Sequence, residues 1–506
     1  MTGTAAPRVG ALPAGAITQD DITGWDAWST AAAIRSRAVS CVAVMEACLD
    51  RIDRLNPLVN AIVSARQRET LLNEARAADA ELAVGHLRGP LHGLPWAVKD
   101  LALTAGIVTS FGSPLFADFT PEEDGLAVAR LRAAGAIFIG KTNVPEFGLG
   151  SQTYNPVHGV TGNAYDPALT CGGSSGGAAV AVALGMIPAA DGSDMMGSLR
   201  NPAAFNNIYG LRPCFGRVPM APAEDVFFAQ LAVEGPMARS VRDLALLLSV
   251  QAGPHPGAPL AIRAPGDAVL PERRASLAGR RIAWVADFGG YLAMEPGVLA
   301  LCESALEEFA GLGCAVTPVD IHFDLARLWR AWLHLRHVWA GARHLEIWRD
   351  PARRDLLKPE LQWEIEQGLA VTGYDIHAAS VVRSQWHAYL QGLFASYDVI
   401  AAPAVQVFPF DKSVTWPRAV GGRAMDTYHR WMESTSIWTM SGLPCMSVPA
   451  GFDPAGRPTG LQLIGPDHGE KLLLEFAAAH EAAVDRVTGR RPPLASGQAA
   501  PLPAAS

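Results

Sequence analysis

Three short segments of the 506-residue chain hold residue types that can do chemistry together. The first is an apolar run, LHGLPWAVKDL, in which Lys99 follows the last apolar residue of WAV. A charged ammonium is costly in an apolar site, so a lysine at the end of a buried strand suggests that its amine is used. The second, CGGSSGG from Cys171 to Gly177, sets four glycines around Ser174 and Ser175 and places Ser174 75 residues beyond Lys99. Backbone rich in glycine reaches conformations closed to other residues and can approach a ligand closely. The third, DGSDMMGSLRNPA from Asp191 to Ala203, places Ser198 24 residues beyond Ser174. A serine hydroxyl is a poor nucleophile at neutral pH and needs a base to take its proton. Lysine is such a base only when neutral, and burial lowers its pKa from about 10.4 by penalising the charged form.

Each segment also has a plainer reading. A lone buried lysine is more often half of an ion pair, and Asp100 and Asp194 are the candidate partners. Serines among glycines usually make turns. CGGSSGG is not a phosphate loop, because Ala178 and Ala179 follow where Lys and then Ser or Thr would be required. Nor is it a flexible linker, since an apolar helix follows at once.

The elements that would position these residues can be read from periodicity. Residues 24–68 have apolar positions three and four apart, which predicts two helices, with Pro57 interrupting the run. LPWAVK then reads as a buried strand, GLAVARLRAAG as a helix closed by a glycine, and AIFIGKTN as another strand, the order of an α/β sheet. A small-residue helix is expected over about residues 177–186, and further strands at 281–288, 397–405, 445–452 and 460–465. The expected fold class is α/β, with a mixed central β-sheet covered by helices. Residues 1–22 would form an N-terminal arm, 23–490 one large domain with a helical insertion or lid at 320–395, and 491–506 an unstructured Pro/Ala-rich tail.

Composition excludes several classes of function. With 49% hydrophobic and 18% charged residues, the chain is no disordered polymer. A net charge of -8 without a basic block argues against nucleic-acid binding. No stretch of eighteen apolar residues calls for a membrane, and the first residues lack a secretory pattern, so a cytoplasmic location is expected. The seven cysteines contain no C-x-x-C pair and are read as reduced core thiols.

Taken in order, the motifs resemble the amidase signature family, serine hydrolases that use a Ser-Ser-Lys triad in place of Ser-His-Asp. The resemblance covers most of the chain: LDRIDRLNPLVNAIV, HGLPWAVKD with Lys99, GKTNVPEFG, GGSSGG, DGSDMMGSLRNPA, SGLPCMSVPAG and GLQLIG. The joint spacing of Lys99, Ser174 and Ser198 within this set outweighs the plainer readings. The resemblance implies that Ser198 is the nucleophile, Ser174 a bridging serine on a cis peptide bond, and Lys99 the terminal base. The reaction implied is hydrolysis of a C-N acyl bond through an acyl-enzyme, with neither metal nor organic cofactor. A bridging hydroxyl both donates and accepts, which suits it to relay a proton. Oxyanion donors would be the backbone N-H groups of Met195, Met196, Gly197 and Ser198. The commoner family pattern has glycine at 196, so the methionine must sit at negative φ or store strain. The competing functions are a transamidase-type glutaminase subunit that supplies ammonia to mischarged tRNA, and a non-catalytic binding protein on the same fold.

Other residues attract less weight. His334, His337 and His344 lack the spacing and the carboxylate of a metal site, so no metal is expected. Cys171 has no histidine partner nearby in sequence and is read as structural, while Arg200 and Asp194 are expected to brace the nucleophile loop. Residues 320–440 hold nine of the thirteen tryptophans, at 329, 332, 339, 348, 363, 386, 416, 431 and 438. These can be core or can offer flat apolar faces to a ligand. With the paired methionines and no basic cluster to hold an anion, they point to a small-molecule amide or carbamate of an aromatic amine. The methionine pair itself resembles an aryl-amidase and urethanase branch of the family. A homodimer is left open.

Overall fold

Runs such as PWAVK and VIAAP are buried along their whole length, as strands covered on both faces must be. In the computed structural model, which describes residues 17–271 and 275–496, they belong to two sheets. The larger sheet has eight strands, in the order Ala315–Pro318, Arg281–Trp284, Val399–Pro403, Pro458–Ile464, Cys445–Phe452, Tyr209–Arg212, Val233–Ala238 and Ala189–Asp194. The first three are mutually parallel and every later pairing is antiparallel, so the sheet is mixed as expected. Helices cover it, among them Gly176–Ala183, Val241–Gln251, Val298–Gly311 and Glu470–Ala483.

Lys99 belongs to the smaller sheet. There Ile137–Thr142 lies between Pro95–Lys99, with which it runs parallel, and Ile62–Val63, with which it runs antiparallel. The strand Pro95–Lys99 packs against Ala189–Asp194 at the edge of the large sheet. The two sheets therefore meet where the lysine and the Asp191–Ala203 segment come together.

Two helices, Ala27–Arg35 and Cys41–Val59, fill the early helical stretch. Pro57 lies within the last turn of the second and does not interrupt it. So close to a helix end, proline removes a single N-H, and the chain turns at Asn60, whose φ is 53°. A third helix, Arg68–Ala83, lies beyond the predicted pair, its buried face made largely of Leu71, Leu72, Ala75 and Ala78.

Five consecutive helices occupy Leu325 to Phe394. Trp329, Trp332, Trp386, Trp431 and Trp438 are buried in one apolar cluster with Leu328, Leu335 and Ile437, so this part of the tryptophan-rich stretch is core. Of the expected tail, Pro493–Ser496 forms a 3-10 turn with Leu494 buried. Residues 497–506, and all but the last six residues of the expected arm, lie outside the described residues. All seven cysteines are buried and unpaired.

Candidate active site

The end of the Pro95–Lys99 strand is pinned by Asp191. Its carboxylate accepts the Trp96 indole N-H at 2.8 Å and the Lys99 backbone N-H at 3.1 Å. The Lys99 side chain is thereby aimed at the glycine loop. Its Nζ lies 2.9 Å from Ser174 Oγ, 2.8 Å from Ser175 Oγ, 3.0 Å from Ser193 Oγ and 3.2 Å from Ser193 O. The Gly173–Ser174 peptide bond is cis. Among the described residues no carboxylate pairs directly with the amine: Asp100 accepts from Ser110, and Asp194 is taken by arginines. Burial lowers the Lys99 pKa to about 7, against the opposing pull of Asp194, Asp191 and Glu234.

Ser174 and Ser175 immediately precede the helix Gly176–Ala183, whose glycines allow close packing. A Cβ on Gly177 would lie 2.3 Å from the backbone nitrogen of Asn143, and one on Gly176 would lie 2.2 Å from Thr153 Oγ1. The Ser175 N-H donates to the carbonyl of Ser198 at 3.2 Å, which ties the two serine segments together. Ser198, Ser174 and Lys99 line one cavity of about 510 Å³. Their exposures of 8%, 2% and 1% put Ser198 nearest the open space and Lys99 deepest.

The turn that carries Ser198 is built on Asp194. The carboxylate accepts the Gly197 N-H at 2.8 Å and the Leu199 N-H at 3.1 Å, and it meets Arg200 at two points, 3.0 and 3.1 Å. Arg200 also donates to Thr435 O, Gln462 Oε1 and Thr439 Oγ1, locking the turn to the sheet and the helix Glu433–Ser441. The bracing expected of Asp194 and Arg200 is what these contacts provide. Arg200 and Arg212 hold the Asp194 carboxyl well below the usual carboxylate range, although burial pushes it up. Gly197 takes the left-handed backbone, with φ 85°, and Met196 is not among the residues at positive φ. The strain considered for a methionine at 196 is therefore absent. Because the Gly197 N-H is already donated to Asp194, the expected oxyanion donors narrow to Met195, Met196 and Ser198.

The cavity walls answer the question left open for the tryptophans and correct the expectation of no basic cluster. Aromatic faces are supplied by Phe111, Phe116, Phe119 and Phe147, packed mostly edge to face, and none of the nine tryptophans lines this cavity. Trp339 lines an adjoining apolar cavity that shares Met195. Basic groups are also present. Arg336 and Arg343, seven residues apart, both reach the wall, where spacing along the sequence showed no cluster. Arg336 is held by Glu364 at 3.0 Å and Tyr428 at 3.1 Å, and its Nη1 lies 2.7 Å from Met195 Sδ. His337 and His344 diverge: His337 meets Glu364, while His344 packs against Phe147 with ring centroids 4.4 Å apart. Cys171 is fully buried, and its pKa is raised to about 12 by burial, in keeping with a structural thiol. Among the described residues no group of three or more His, Cys, Asp or Glu is arranged to hold a metal ion.

A mixed sheet, a serine-bearing glycine loop and a buried lysine are the combination expected of amidase signature hydrolases, and the chain belongs to that family, whose model, described as Amidase, matches residues 43–474. An acylamidase of Rhodococcus erythropolis is 33% identical over 483 residues, covering 92% of this chain and 97% of that protein. A glutamyl-tRNA(Gln) amidotransferase component of Thermus thermophilus is 35% identical over 487 residues, covering 90% and 96%. Among solved structures, a bacterial aryl acylamidase of the amidase signature family superposes with a TM-score of 0.84 at 27% identity, covering 92% of this chain and 99% of that one. The protein is an enzyme that hydrolyses amide C-N bonds. No helix among the described residues is long and apolar enough to cross a membrane.

Proposed function

We propose that the chain hydrolyses amides of aromatic amines, and carbamates of the same amines, through a Ser198–Ser174–Lys99 triad. The observation that carries this reading is the buried Lys99 amine, 2.9 Å from Ser174 Oγ, in a phenylalanine-walled cavity shared with Ser198. With a pKa of about 7 the amine is substantially neutral at physiological pH, so its lone pair can accept the Ser174 proton. Ser198 Oγ attacks the acyl carbon and gives its proton to Ser174 Oγ as the Ser174 proton passes to Lys99. The N-H groups of Met195, Met196 and Ser198 receive the developing oxyanion. Collapse breaks the C-N bond, the proton returns through Ser174 to the departing amine, and an acyl-Ser198 ester is left. Water then attacks the ester by the same proton route and releases the acid. An aromatic amine is less basic than an alkyl amine and easier to expel, and the phenylalanine wall favours its flat face.

The test compares kcat/KM for 4-nitroacetanilide, a phenylcarbamate ester and propionamide, together with labelling by a serine-directed fluorophosphonate. The aromatic substrates should lead, with the label on Ser198. Turnover of propionamide equal to that of the aromatic pair would overturn the substrate reading, and a label elsewhere would overturn the nucleophile. The similarity to amidotransferase components supports a second reading, a glutaminase that hands ammonia to a partner. Glutaminase activity of the purified chain, without anilide turnover, would favour it. A non-catalytic role would leave the chain unlabelled.

A further inference from the structure

The helix Val241–Gln251 buries one apolar face, with Leu244, Leu247 and Leu248 at 0% exposure. Spacing of three, four and seven residues from Leu244 continues that face to Gln251, which is also 0% exposed. A glutamine at such a position costs stability unless both ends of its amide are hydrogen-bonded. Among the described residues, neither Gln251 Nε2 nor Oε1 has a hydrogen-bond partner, and Gln251 lines the cavity that holds Ser198, Ser174 and Lys99. The amide therefore sits, unsatisfied at both ends, in a residue of that cavity's wall.

A second polar group lines the same cavity without a hydrogen-bond partner among the described residues. Glu234, in the strand Val233–Ala238, is paired in register with Ser193. Cross-strand partners project to the same face, so the carboxyl lies beside Ser193, whose oxygens meet the Lys99 amine. Burial raises the Glu234 pKa to about 7, which lets the group accept or donate a hydrogen bond near neutrality. The cavity wall also carries apolar side chains, among them Leu103, Val128 and Leu131. In such surroundings a hydrogen-bonding pair discriminates strongly against a ligand that cannot answer it.

We propose that Gln251 and Glu234 form a polar subsite of the catalytic cavity that binds a second carboxamide-like group of the substrate, one that offers both N-H and C=O and is distinct from the bond being cut. The proposal rests on the triad reading above. The Gln251 amide would pair with that group at two points, and Glu234 would take a remaining N-H.

The test uses two pairs of substrates in which a carboxamide is replaced by the isosteric isopropyl group. On the acyl side, the anilide of succinamic acid is compared with that of 4-methylpentanoic acid. On the amine side, 4-acetamidobenzamide is compared with 4-isopropylacetanilide. In one pair the wild-type protein should prefer the carboxamide by about tenfold or more in kcat/KM. Gln251→Leu should bring that ratio to within about twofold of unity, and Glu234→Ala should lower it. Should Gln251→Leu fail to fold, Gln251→Met, of similar length, makes the same comparison. Ratios near one for both pairs in the wild type, with Ser198→Ala inactive, would mean that only water meets Gln251 and would overturn the subsite alone. A ratio that survives in Gln251→Leu would also overturn it. Turnover retained in Ser198→Ala would instead overturn the triad reading.

Discussion

Asp194 and Arg200 form a fully buried two-point ion pair, and the same carboxylate accepts the N-H groups on either side of Ser198. Arg212 shares this carboxylate at 3.4 Å, so two guanidiniums depend on one buried anion. Asp194→Asn should leave both cations uncompensated and lower the unfolding free energy by about 3–5 kcal/mol. Because the native pKa is depressed, the carboxylate contributes its stability above the ordinary carboxylate range, and that contribution fades as pH falls through the lower native value. Urea denaturation at neutral pH checks the magnitude. A loss under about 1 kcal/mol would show that the pair is dispensable.

In the proposed triad the Lys99 amine sets the pH dependence of the reaction. Only the neutral form accepts a proton, so kcat/KM should rise with pH through about 7 and then level off. Lys99→Arg should be inactive at every pH, since a guanidinium stays protonated. A profile flat from pH 5 to 10, or activity in Lys99→Arg, would remove the lysine from the proton path.

How much of this was legible in the sequence depends on what each residue is buried against. Strands such as Ile137–Thr142 and Cys445–Phe452 carry enough apolar and β-branched residues to announce themselves. Ala189–Asp194 and Val233–Ala238, reading AADGSD and VEGPMA, do not, because small and polar residues fill the crowded space between sheet and helices. Those are the strands that carry Asp191, Asp194 and Glu234. Lys99, Ser174 and Ser198 were visible because their motifs are local, and their meeting now rests on the Lys99–Ser174 contact and the shared cavity. Arg336 and Gln251 reach the cavity only through packing of distant helices, which no spacing along the chain records. For the tryptophans the sequence left core and pocket open, and the structure puts Trp329, Trp332, Trp386, Trp431 and Trp438 in the core while phenylalanines take the wall of the cavity that holds Ser198.

Three of the four serines near Lys99 Nζ or the cavity, Ser174, Ser175 and Ser198, should separate by role. Ser198→Ala should lose more than about a thousandfold in kcat, as expected for a nucleophile in a coupled unit. Ser174→Ala should lose most activity as well. Ser175 also lies 2.8 Å from the amine, but in the proposed triad it holds Lys99 rather than passing the proton, so Ser175→Ala should retain more activity than Ser174→Ala. Mass spectrometry of the trapped acyl-enzyme locates the nucleophile. The reverse order for Ser174 and Ser175 would exchange their roles.

Gly197 and Met196 differ in what their backbone tolerates. A Cβ on Gly197 would lie 2.6 Å from Thr435 Cγ2 in a left-handed backbone, so Gly197→Ala must displace the turn that carries Ser198. Met196→Gly keeps the backbone N-H but adds freedom and removes a buried side chain, which lowers stability, and in the folded variant it should change kcat by less than about tenfold, well short of a lost oxyanion donor. Kinetics of the two folded variants decide the matter. If Met196→Gly is inactive and Gly197→Ala is not, the Met196 side chain has a direct part in the reaction.

The phenylalanine wall leads to the last expectation. Phe147 packs edge to face on Phe116 with ring centroids 6.0 Å apart and also touches His344, so it presents a fixed aromatic surface to the cavity that holds Ser198. A buried aromatic ring of the substrate gains from such a surface through area and through edge-to-face contact, about 1 kcal/mol or more beyond what a short alkyl amide gains. Phe147→Ala should therefore lower kcat/KM for 4-nitroacetanilide by about tenfold and leave propionamide within about threefold. Equal losses on both substrates would mean that Phe147 only holds the wall in place, and the aromatic preference would have to be sought in the cavity beside Trp339, which shares Met195 with this one.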